Sequence, residues 1–320
     1  MERRGCTCYA PAVRARRAIV AVVALSVAIA TLSSRTVARA TGGCASPPVA
    51  GSYVLQLDVG AANRTALVHV PPGLAAGQPR PLVLALHGYG GSGPRMEPYS
   101  GFSAVADRDR FLVAYPSSSG RSWNSTAARG RADDVRFLAQ LIDLLSQTMC
   151  VDPGRVFATG VSNGGSMVAL AACALSTRIV AVAPVAGDYS RQPACRPARP
   201  VSVLEIHGTA DQIVPYFGGR PRRTADGLPP VVDQWVRRDR CGPRRRAGVL
   251  APRARWFAWS GCAGGVRVEH IRIDGGRHQW PGATPPDPGP PSTFCGACTI
   301  WAFFAALPAG PRTWAAGGRA

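Results

Sequence analysis

The chain has 320 residues, an apolar fraction of 46% and a formal net charge of +19. Its length allows one large domain or two small ones. All 37 basic residues are arginine, which indicates a compositional bias rather than selection for phosphate contacts. The clusters at Arg220–Arg223 and Arg237–Arg246 contain no interleaved aromatic residues, so the composition argues against nucleic-acid binding.

The first 40 residues have the pattern of an export signal. A basic region at Arg14–Arg17 precedes the uncharged apolar run Ala18–Leu32, and Val37–Ala40 supplies a small-x-small cleavage site. Residues 1–40 are therefore predicted to be a signal peptide of an exported protein, with a mature chain that starts near Thr41. The alternative is an uncleaved anchor, although the run is shorter than the roughly 20 residues of a spanning helix. No stable membrane insertion is expected after cleavage.

Strand-like and helix-like segments alternate along the rest of the chain. Apolar or β-branched runs predict strands at Tyr53–Val59, Ala66–Val70, Leu82–Leu86, Phe111–Tyr115, Val156–Thr159, Val180–Val185, Val201–Ile206 and Val266–Ile273. Helices are predicted at Tyr99–Asp109, Asp133–Met149, Gly165–Leu175, Val231–Arg238 and Thr299–Leu307. The first two strands are expected to form an antiparallel hairpin, and the later short runs are typical of buried parallel strands.

This alternation predicts an α/β fold with a doubly wound, mostly parallel sheet and helices on both faces. A single catalytic domain is expected over residues 41–320, with its core from about Gly43 to Leu307. Three irregular segments are predicted to be loops, at Gly218–Pro230, Gly242–Arg255 and Gly282–Ser292.

Eight cysteines follow the predicted signal peptide: Cys44, Cys150, Cys173, Cys195, Cys241, Cys262, Cys295 and Cys298. An even number in an exported chain indicates disulfides. Cys241 and Cys262 are the favoured pair because they flank the same loop-rich insert, and the other pairings stay open. Cys295 and Cys298 form a C-x-x-C without a second such motif or a histidine cluster, so a structural bridge is expected there and no metal site.

Ser162 is the candidate nucleophile, at the centre of Gly160-Val161-Ser162-Asn163-Gly164. The motif follows a strand-like run and precedes a helix-like run, which is the context of a nucleophile elbow. Glycines two residues before and after the serine let the backbones pass in such a tight turn. A lone G-x-S-x-G match is weak in a glycine-rich chain, so the interpretation depends on partners further along the sequence.

The general base is expected after Ser162, because α/β sheets of this type carry serine, acid and histidine in that order. Two of the five histidines come too early. His278 follows a strand in a loop rich in glycine and proline and is the candidate base. His207 is interpreted as structural, and His270 as a packed or solvated strand residue.

Asp211 is the candidate acid. It lies on the loop after the predicted strand Val201–Ile206, and open α/β sheets place ligands at such carboxyl ends. Asp188 is the alternative acid, and a role for Asp211 as a turn residue stays open.

The glycine-rich turn after the strand Leu82–Leu86 predicts an oxyanion hole. The backbone amides of Tyr89 and Asn163 are its candidate donors. The turn lacks the G-x-x-x-x-G-K-[ST] pattern of a phosphate loop, and no cofactor is expected.

Six motifs spread over most of the chain carry a family resemblance. They are Leu86-His87-Gly88, Trp123-Asn124, Asp134–Leu138, Gly160–Met167, His207–Asp211 with Val214–Tyr216, and Gly276–Gly282. Together they resemble the secreted esterases of the polyhydroxybutyrate depolymerase and feruloyl or acetylxylan esterase group. The resemblance implies an α/β-hydrolase fold, a Ser162–Asp211–His278 triad, and an acyl site lined by Trp123 and Trp280. Core packing is the alternative role for both tryptophans.

The function that the resemblance implies is a secreted serine carboxylesterase that works through an acyl-enzyme. Its expected substrates are short hydroxyalkanoate polyesters or oligomers, or feruloyl and acetyl esters. The chain stops soon after its last predicted helix, which favours soluble esters or oligomers over a solid polymer. The alternatives are a serine peptidase on the same fold and a surface binding protein without turnover.

Overall fold

The computed structural model describes residues 48–217, 228–283 and 294–310. The predicted signal peptide, Cys44, and most of the predicted loops Gly218–Pro230 and Gly282–Ser292 lie outside these ranges. Within the ranges, no helix is both long enough and apolar enough to cross a membrane.

The described residues form one ten-stranded sheet. Its strands in chain order are β1 (Gly51–Val59), β2 (Ala62–Val70), β3 (Arg80–Leu86), β4 (Leu112–Pro116), β5 (Val151–Val161), β6 (Ala181–Val185), β7 (Ser202–Gly208), β8 (Arg245–Ala251), β9 (Ala254–Trp259) and β10 (Val268–Ile273). Their order across the sheet is β1-β2-β4-β3-β5-β6-β7-β10-β9-β8. The strands from β4 to β10 in this order pair in parallel, and antiparallel pairs close both edges.

The central strands are apolar because they are covered on both sides. Every residue of β3, β4, β6 and β7 is buried, as expected of parallel strands between two helical layers. The predicted antiparallel hairpin of β1 and β2 is also confirmed.

The sheet edge beyond β10 differs from the sequence-based expectation. The segment Gly242–Arg255, predicted to be a loop, contributes β8 and the start of β9 to an antiparallel hairpin. No residue of the arginine-rich strand β8 is fully buried, so no apolar alternation marks it in the sequence. Charged side chains are typical of an edge strand, where they discourage pairing with another chain.

Six α-helices lie in the described ranges: α1 (Gly93–Ser100), α2 (Phe102–Asp109), α3 (Asp134–Met149), α4 (Asn163–Ala174), α5 (Pro230–Arg238) and α6 (Gly296–Ala305). The single helix predicted at Tyr99–Asp109 is wrong, because Gly101 has a φ of 73° and separates α1 from α2. Glycine adopts this left-handed conformation without steric cost. The predicted helix at Asp133–Met149 is confirmed as α3, and the Asp133 side chain caps it by accepting a hydrogen bond from Arg136 N at 2.9 Å.

The helices cover both faces of the sheet. Leu82 and Leu84 of β3 pack in one cluster with α3, α4 and α5, whereas Val83 and Ala85 pack in a second cluster with α1, α2 and α6. Because successive side chains of a strand point to opposite faces, the two sets of helices lie on opposite sides. The predicted doubly wound arrangement is therefore confirmed.

Disulfide bonds tie several loops to this framework. Cys241 is bonded to Cys262, as predicted. This bond links the segment after α5 to the segment after β9. Further bonds join Cys173 to Cys195 and Cys295 to Cys298, and Cys150 is also disulfide-bonded. The C-x-x-C motif is thus a structural bridge at the start of α6.

Candidate active site

Ser162 occupies the turn between β5 and α4. Its backbone has a φ of 57° and a ψ of −122°, a conformation that costs a non-glycine residue about 1–3 kcal/mol and persists only where the surroundings enforce it. Hydrogen bonds enforce it here, since Ser162 N donates to Val185 O at 2.8 Å and Ser162 O accepts from Ser166 N at 2.9 Å. Strand, strained turn and helix together have the geometry of a nucleophile elbow.

Two glycines make this turn sterically possible. A Cβ atom at Gly160 would lie 2.7 Å from the carbonyl carbon of Gly164, and a Cβ atom at Gly164 would lie 2.5 Å from Leu86 O. Both distances are too short for non-bonded atoms. A side chain at either position would push α4 away from β5 or from β3, and the serine would move with it.

The turn after β3 passes beside the serine. A Cβ atom built on Gly88 would lie 3.4 Å from the Cβ of Ser162, so the following peptide, which carries the Tyr89 amide, borders the same space. Asn163 is the first residue of α4, and the first N–H groups of a helix have no acceptor within it. Both amides predicted for the oxyanion hole therefore adjoin Ser162 along or across the turn.

Asp211 and His278 meet at the carboxyl ends of two neighbouring strands. Asp211 follows β7, and His278 follows β10, which pairs in parallel with β7. Asp211 Oδ2 lies 2.8 Å from His278 Nδ1, and Oδ1 accepts hydrogen bonds from the backbone amides of Ile213 and Val214. Burial acts to raise the pKa of Asp211, but hydrogen bonds from two histidines and from the loop backbone outweigh it and hold that pKa well below its usual range. The carboxylate is therefore ionised.

Asp188, the alternative acid, has other partners. It lies in the loop after β6, where its side chain is exposed. Its Oδ1 accepts a hydrogen bond from Ser190 N at 2.9 Å, and its own backbone N–H donates to Ser166 Oγ at 2.9 Å. These bonds shape a local turn, so the structure pairs His278 with Asp211 instead.

Three buried side chains lie directly behind Asp211. His207 Nε2 is 3.2 Å from Asp211 Oδ2, and His207 Nδ1 is 3.0 Å from Glu205 Oε1. His270 is fully buried, 2.6 Å from Glu205 Oε2. Sequence reasoning missed Glu205, although polar residues at alternate positions of an apolar strand share one face and signal a buried polar site. The described residues contain no group of three or more His, Cys, Asp or Glu side chains suited to a metal ion.

The two tryptophans expected to line the acyl site are buried, with 0% of Trp123 and 1% of Trp280 exposed. Trp123 Nε1 donates to His87 O at 2.9 Å, and Trp280 Nε1 donates to Ser100 O at 3.2 Å. This burial agrees with the alternative role in core packing, and the lining of the acyl site by Trp123 and Trp280 stays a prediction. Trp123 supports the serine turn, since its backbone N–H donates to Asn163 Oδ1 at 2.6 Å.

Two exposed apolar side chains lie on the loops that carry the candidate site residues. The sequence analysis named only the backbone amide of Tyr89 and did not name Ile213. Tyr89, in the candidate oxyanion turn, is 62% exposed, and Ile213, two residues after Asp211, is 71% exposed. The guanidinium of Arg121 lies 5.1 Å from the centre of the Tyr89 ring. The loops therefore present apolar surface to solvent.

The sheet, its helices and this elbow define an α/β-hydrolase. The putative esterase NocK of Nocardia uniformis subsp. tsuyamanensis is 34% identical over 266 residues, which cover 75% of this chain and 77% of NocK. The chain belongs to this family of esterases, whose class of reaction is the hydrolysis of carboxylic esters.

Further matches lie in the same group. The acetyl xylan esterase family model matches residues 135–197. Feruloyl esterase B of Piromyces equi is 31% identical over 67% of this chain, but the match spans only 42% of that longer protein. The structure of an acetyl xylan esterase from Aspergillus awamori has a TM-score of 0.59 and 17% identity, covers 79% of this chain and 99% of that one, and shows the same fold. The predicted feruloyl and acetylxylan esterase grouping is confirmed, and the polyhydroxybutyrate depolymerase part stays a prediction.

Proposed function

We propose that the chain hydrolyses carboxylic esters with Ser162 as nucleophile, His278 as general base and Asp211 as the group that orients the base. The 2.8 Å contact between His278 and Asp211 carries the proposal. It forms at the carboxyl ends of β7 and β10, and the strained turn of Ser162 leaves the carboxyl end of β5 in the same parallel sheet. Open α/β sheets place their ligands at this edge.

The proposed reaction has two half-reactions. His278 accepts the proton of Ser162 while Oγ attacks the ester carbonyl, and the amides of Tyr89 and Asn163 donate hydrogen bonds to the oxyanion. Collapse of the intermediate releases the alcohol, which takes the proton from His278. Water, deprotonated by His278, then attacks the acyl-enzyme. The bond between the acyl carbon and Ser162 Oγ breaks, Oγ takes the proton back from His278, and the acid leaves. Asp211 holds Nδ1, so Nε2 faces the serine and the imidazolium is stabilised.

We infer that the substrates are acetyl or feruloyl esters. The support is the match to the acetyl xylan esterase model and to a feruloyl esterase. The exposed side chains of Tyr89 and Ile213 supply an apolar rim that suits the flat face of a phenolic or sugar ring. The chain spans less than half of Feruloyl esterase B. Feruloyl esterase activity is therefore a proposal for this chain.

We also infer that the protein works outside the cytoplasm. Disulfides persist in oxidising compartments, and the described residues contain several. The proposed export signal at residues 1–40 agrees with this location. Edman sequencing of the exported protein would test it, with a start near Thr41 as the expected result.

Replacement of the serine tests the proposed reaction. We expect Ser162→Ala to lose at least about 10³-fold in kcat for p-nitrophenyl acetate, as in other serine hydrolases, with an unchanged circular dichroism spectrum. Ser146→Ala is the matched control, because the Ser146 hydroxyl donates to Ile142 O within α3. Turnover by Ser162→Ala equal to that of the control would overturn the proposal.

A substrate panel tests the proposed specificity. Methyl ferulate, acetylated xylan, 3-hydroxybutyrate oligomers and a peptide anilide are compared by kcat/KM. We expect the feruloyl or acetyl ester to give the highest value. A higher value for the oligomers would identify a polyester as the substrate, and a higher value for the anilide would favour the peptidase hypothesis.

A further inference from the structure

We propose that His207 is a positioning residue whose buried imidazolium, held between Glu205 and Asp211, offsets the charge of Asp211 and so sets the pH at which His278 works as a base. The proposal rests on the proposed function, and it concerns the side of Asp211 that faces away from His278. Glu205, His207, Tyr216 and His270 are called the buried polar chain below.

The buried polar chain is continuous. It starts at His207, which lies 3.2 Å from Asp211 Oδ2, and the same oxygen lies 2.8 Å from His278. It continues through Glu205 to His270, and His270 Nε2 lies 2.7 Å from the Tyr216 hydroxyl. Only 3% of His207, 1% of Glu205 and 0% of His270 is exposed. In so little water, each polar atom depends on its protein partners.

The partners of His207 decide its protonation state. Nε2 faces Asp211 Oδ2 and also Val214 O at 2.9 Å, and a backbone carbonyl can only accept a hydrogen bond. Nε2 must therefore carry a proton. Nδ1 faces Glu205 Oε1 at 3.0 Å, and it also needs a proton if that carboxylate is ionised. An imidazole with protons on both nitrogens is a cation.

The other end of the buried polar chain favours an ionised Glu205. His270 Nδ1 lies 3.1 Å from the backbone oxygen of Glu205 and 2.6 Å from Glu205 Oε2. Nδ1 therefore carries a proton, and Nε2 faces the Tyr216 hydroxyl. Glu205 Oε2 accepts no well-directed hydrogen bond, but His270 Nδ1 lies close to Oε2 and His207 Nδ1 close to Oε1, and this position between two histidines favours the carboxylate over the carboxylic acid.

The pKa directions agree with this assignment. Burial acts to lower the pKa of His207, but hydrogen bonds to Asp211 and Glu205 and the Glu205 charge outweigh it and raise that pKa to about 10. Burial acts to raise the pKa of Glu205, and the two histidines overcome it and lower that pKa to about 2. Burial raises the pKa of Tyr216, which stays neutral.

The groups that face His207 explain why its positive charge balances the carboxylates. They are Glu205 on its own strand, His270 on β10, Asp211 and Tyr216 on the loop after β7, and Tyr189 on the loop after β6. Arg272 and Asp274 lie further out, and their charges act on the pKa of Tyr216. Burial raises the pKa of Tyr189, which is also neutral. His207 is the imidazolium that contacts both carboxylates, Glu205 and Asp211. Without that cation, the unbalanced charge of Asp211 would favour the protonated form of His278, which cannot accept the serine proton.

The pH profile of kcat/KM tests this role. His207→Gln keeps an N–H donor within reach of Asp211 but removes the charge. We expect the acid limb of the profile for p-nitrophenyl acetate to move to higher pH by about one unit, since one charge at this range changes a neighbouring titration by that order. His69→Gln is the matched control, because His69 also lies between two carboxylates, Asp107 at 2.8 Å and Glu97 at 3.6 Å, but on β2. Its profile should not move.

A purely structural role makes a different prediction. His207→Gln would then lower kcat or the melting temperature and leave the acid limb in place, and this result, with an inactive Ser162→Ala, would overturn only the role of His207. Turnover by Ser162→Ala would overturn the proposed function instead.

A spectroscopic measurement needs neither turnover nor a folded His207 variant. In the full chain carrying Ser162→Ala and ¹⁵N-labelled histidine, the two ring nitrogens of His207 should show the shifts of an imidazolium at neutral pH. Shifts of a neutral ring would overturn the proposal.

Discussion

Glu205 and Asp239 are two carboxyl groups with the same exposed fraction and with pKa values shifted in opposite directions. Each exposes 1% of its surface. Two histidines hold Glu205 on β7, and its pKa falls to about 2. Asp239 ends α5, and neither of its carboxylate oxygens has a hydrogen-bond partner among the described residues. Burial raises the pKa of Asp239 to about 7, and the nearby charge of Arg238 only partly opposes it.

The comparison separates the effect of burial on a carboxyl pKa from the effect of neighbouring groups. Burial by itself disfavours the charged form of any carboxyl group. At Glu205 the two neighbouring histidines reverse this effect, although Oε2 accepts no well-directed hydrogen bond, whereas at Asp239 nothing in the described ranges does so. The first carboxylate stabilises the fold at neutral pH, and the second destabilises it there.

The largest expected effect is at Glu205. Glu205→Ala leaves the His207 charge with one carboxylate partner fewer in a buried site, so we expect the free energy of unfolding to fall by about 3–5 kcal/mol at pH 7. Since the folded pKa of Glu205 lies below its unfolded value, its contribution is present above about pH 4.5 and is lost as the pH falls towards about 2. Urea titrations at several pH values should therefore show the loss shrinking in acid. Glu205→Gln is the milder comparison, and a loss below about 1 kcal/mol for Glu205→Ala would contradict the interpretation.

A smaller effect is expected at the disulfide beside Asp239. The bond closes a sequence separation of 21 residues, so replacing Cys241 and Cys262 together by serine should cost about 3 kcal/mol of unfolding free energy. The bond also keeps Asp239 enclosed, because Asp239 O accepts a hydrogen bond from Ala263 N next to Cys262. At pH 8, Asp239→Asn should therefore stabilise this double variant by less than it stabilises the wild type, because the opened segment lets water reach the carboxylate. An equal gain in both backgrounds would show that the bond and the carboxyl group act independently.

The smallest effect is expected at Asp239 alone, and it has the opposite sign. The raised folded pKa means that the unfolded chain releases its proton near pH 3.8, while the folded chain keeps it to about pH 7. Wild-type stability therefore falls as the pH rises through this window. Asp239→Asn, which has nearly the same shape, should raise the unfolding free energy by about 2 kcal/mol at pH 8 and leave it unchanged below about pH 3.5. Equal stabilisation at both pH values would contradict a charge effect.

Local patterns predicted much of the framework. The glycines around Ser162 indicated the elbow, and the geometry around Gly160 and Gly164 explains why only glycine fits there. The short apolar runs indicated the parallel strands. The hairpin of β8 and β9 was missed because β8 has no buried face, and the break at Gly101 was missed because the helical pattern runs through it.

The chain by itself determined which residue types could do chemistry and in what order they occur, since strands, turns and caps depend on neighbours within a few positions. Tertiary structure alone decided which of them touch. Asp211 and His278 are 67 residues apart in sequence and meet because β10 pairs with β7. The same pairing brings His270 onto Glu205, and the packing of α1 and α2 buries Trp280. Contacts of this kind depend on the order of strands across the sheet, which no local stretch of sequence encodes.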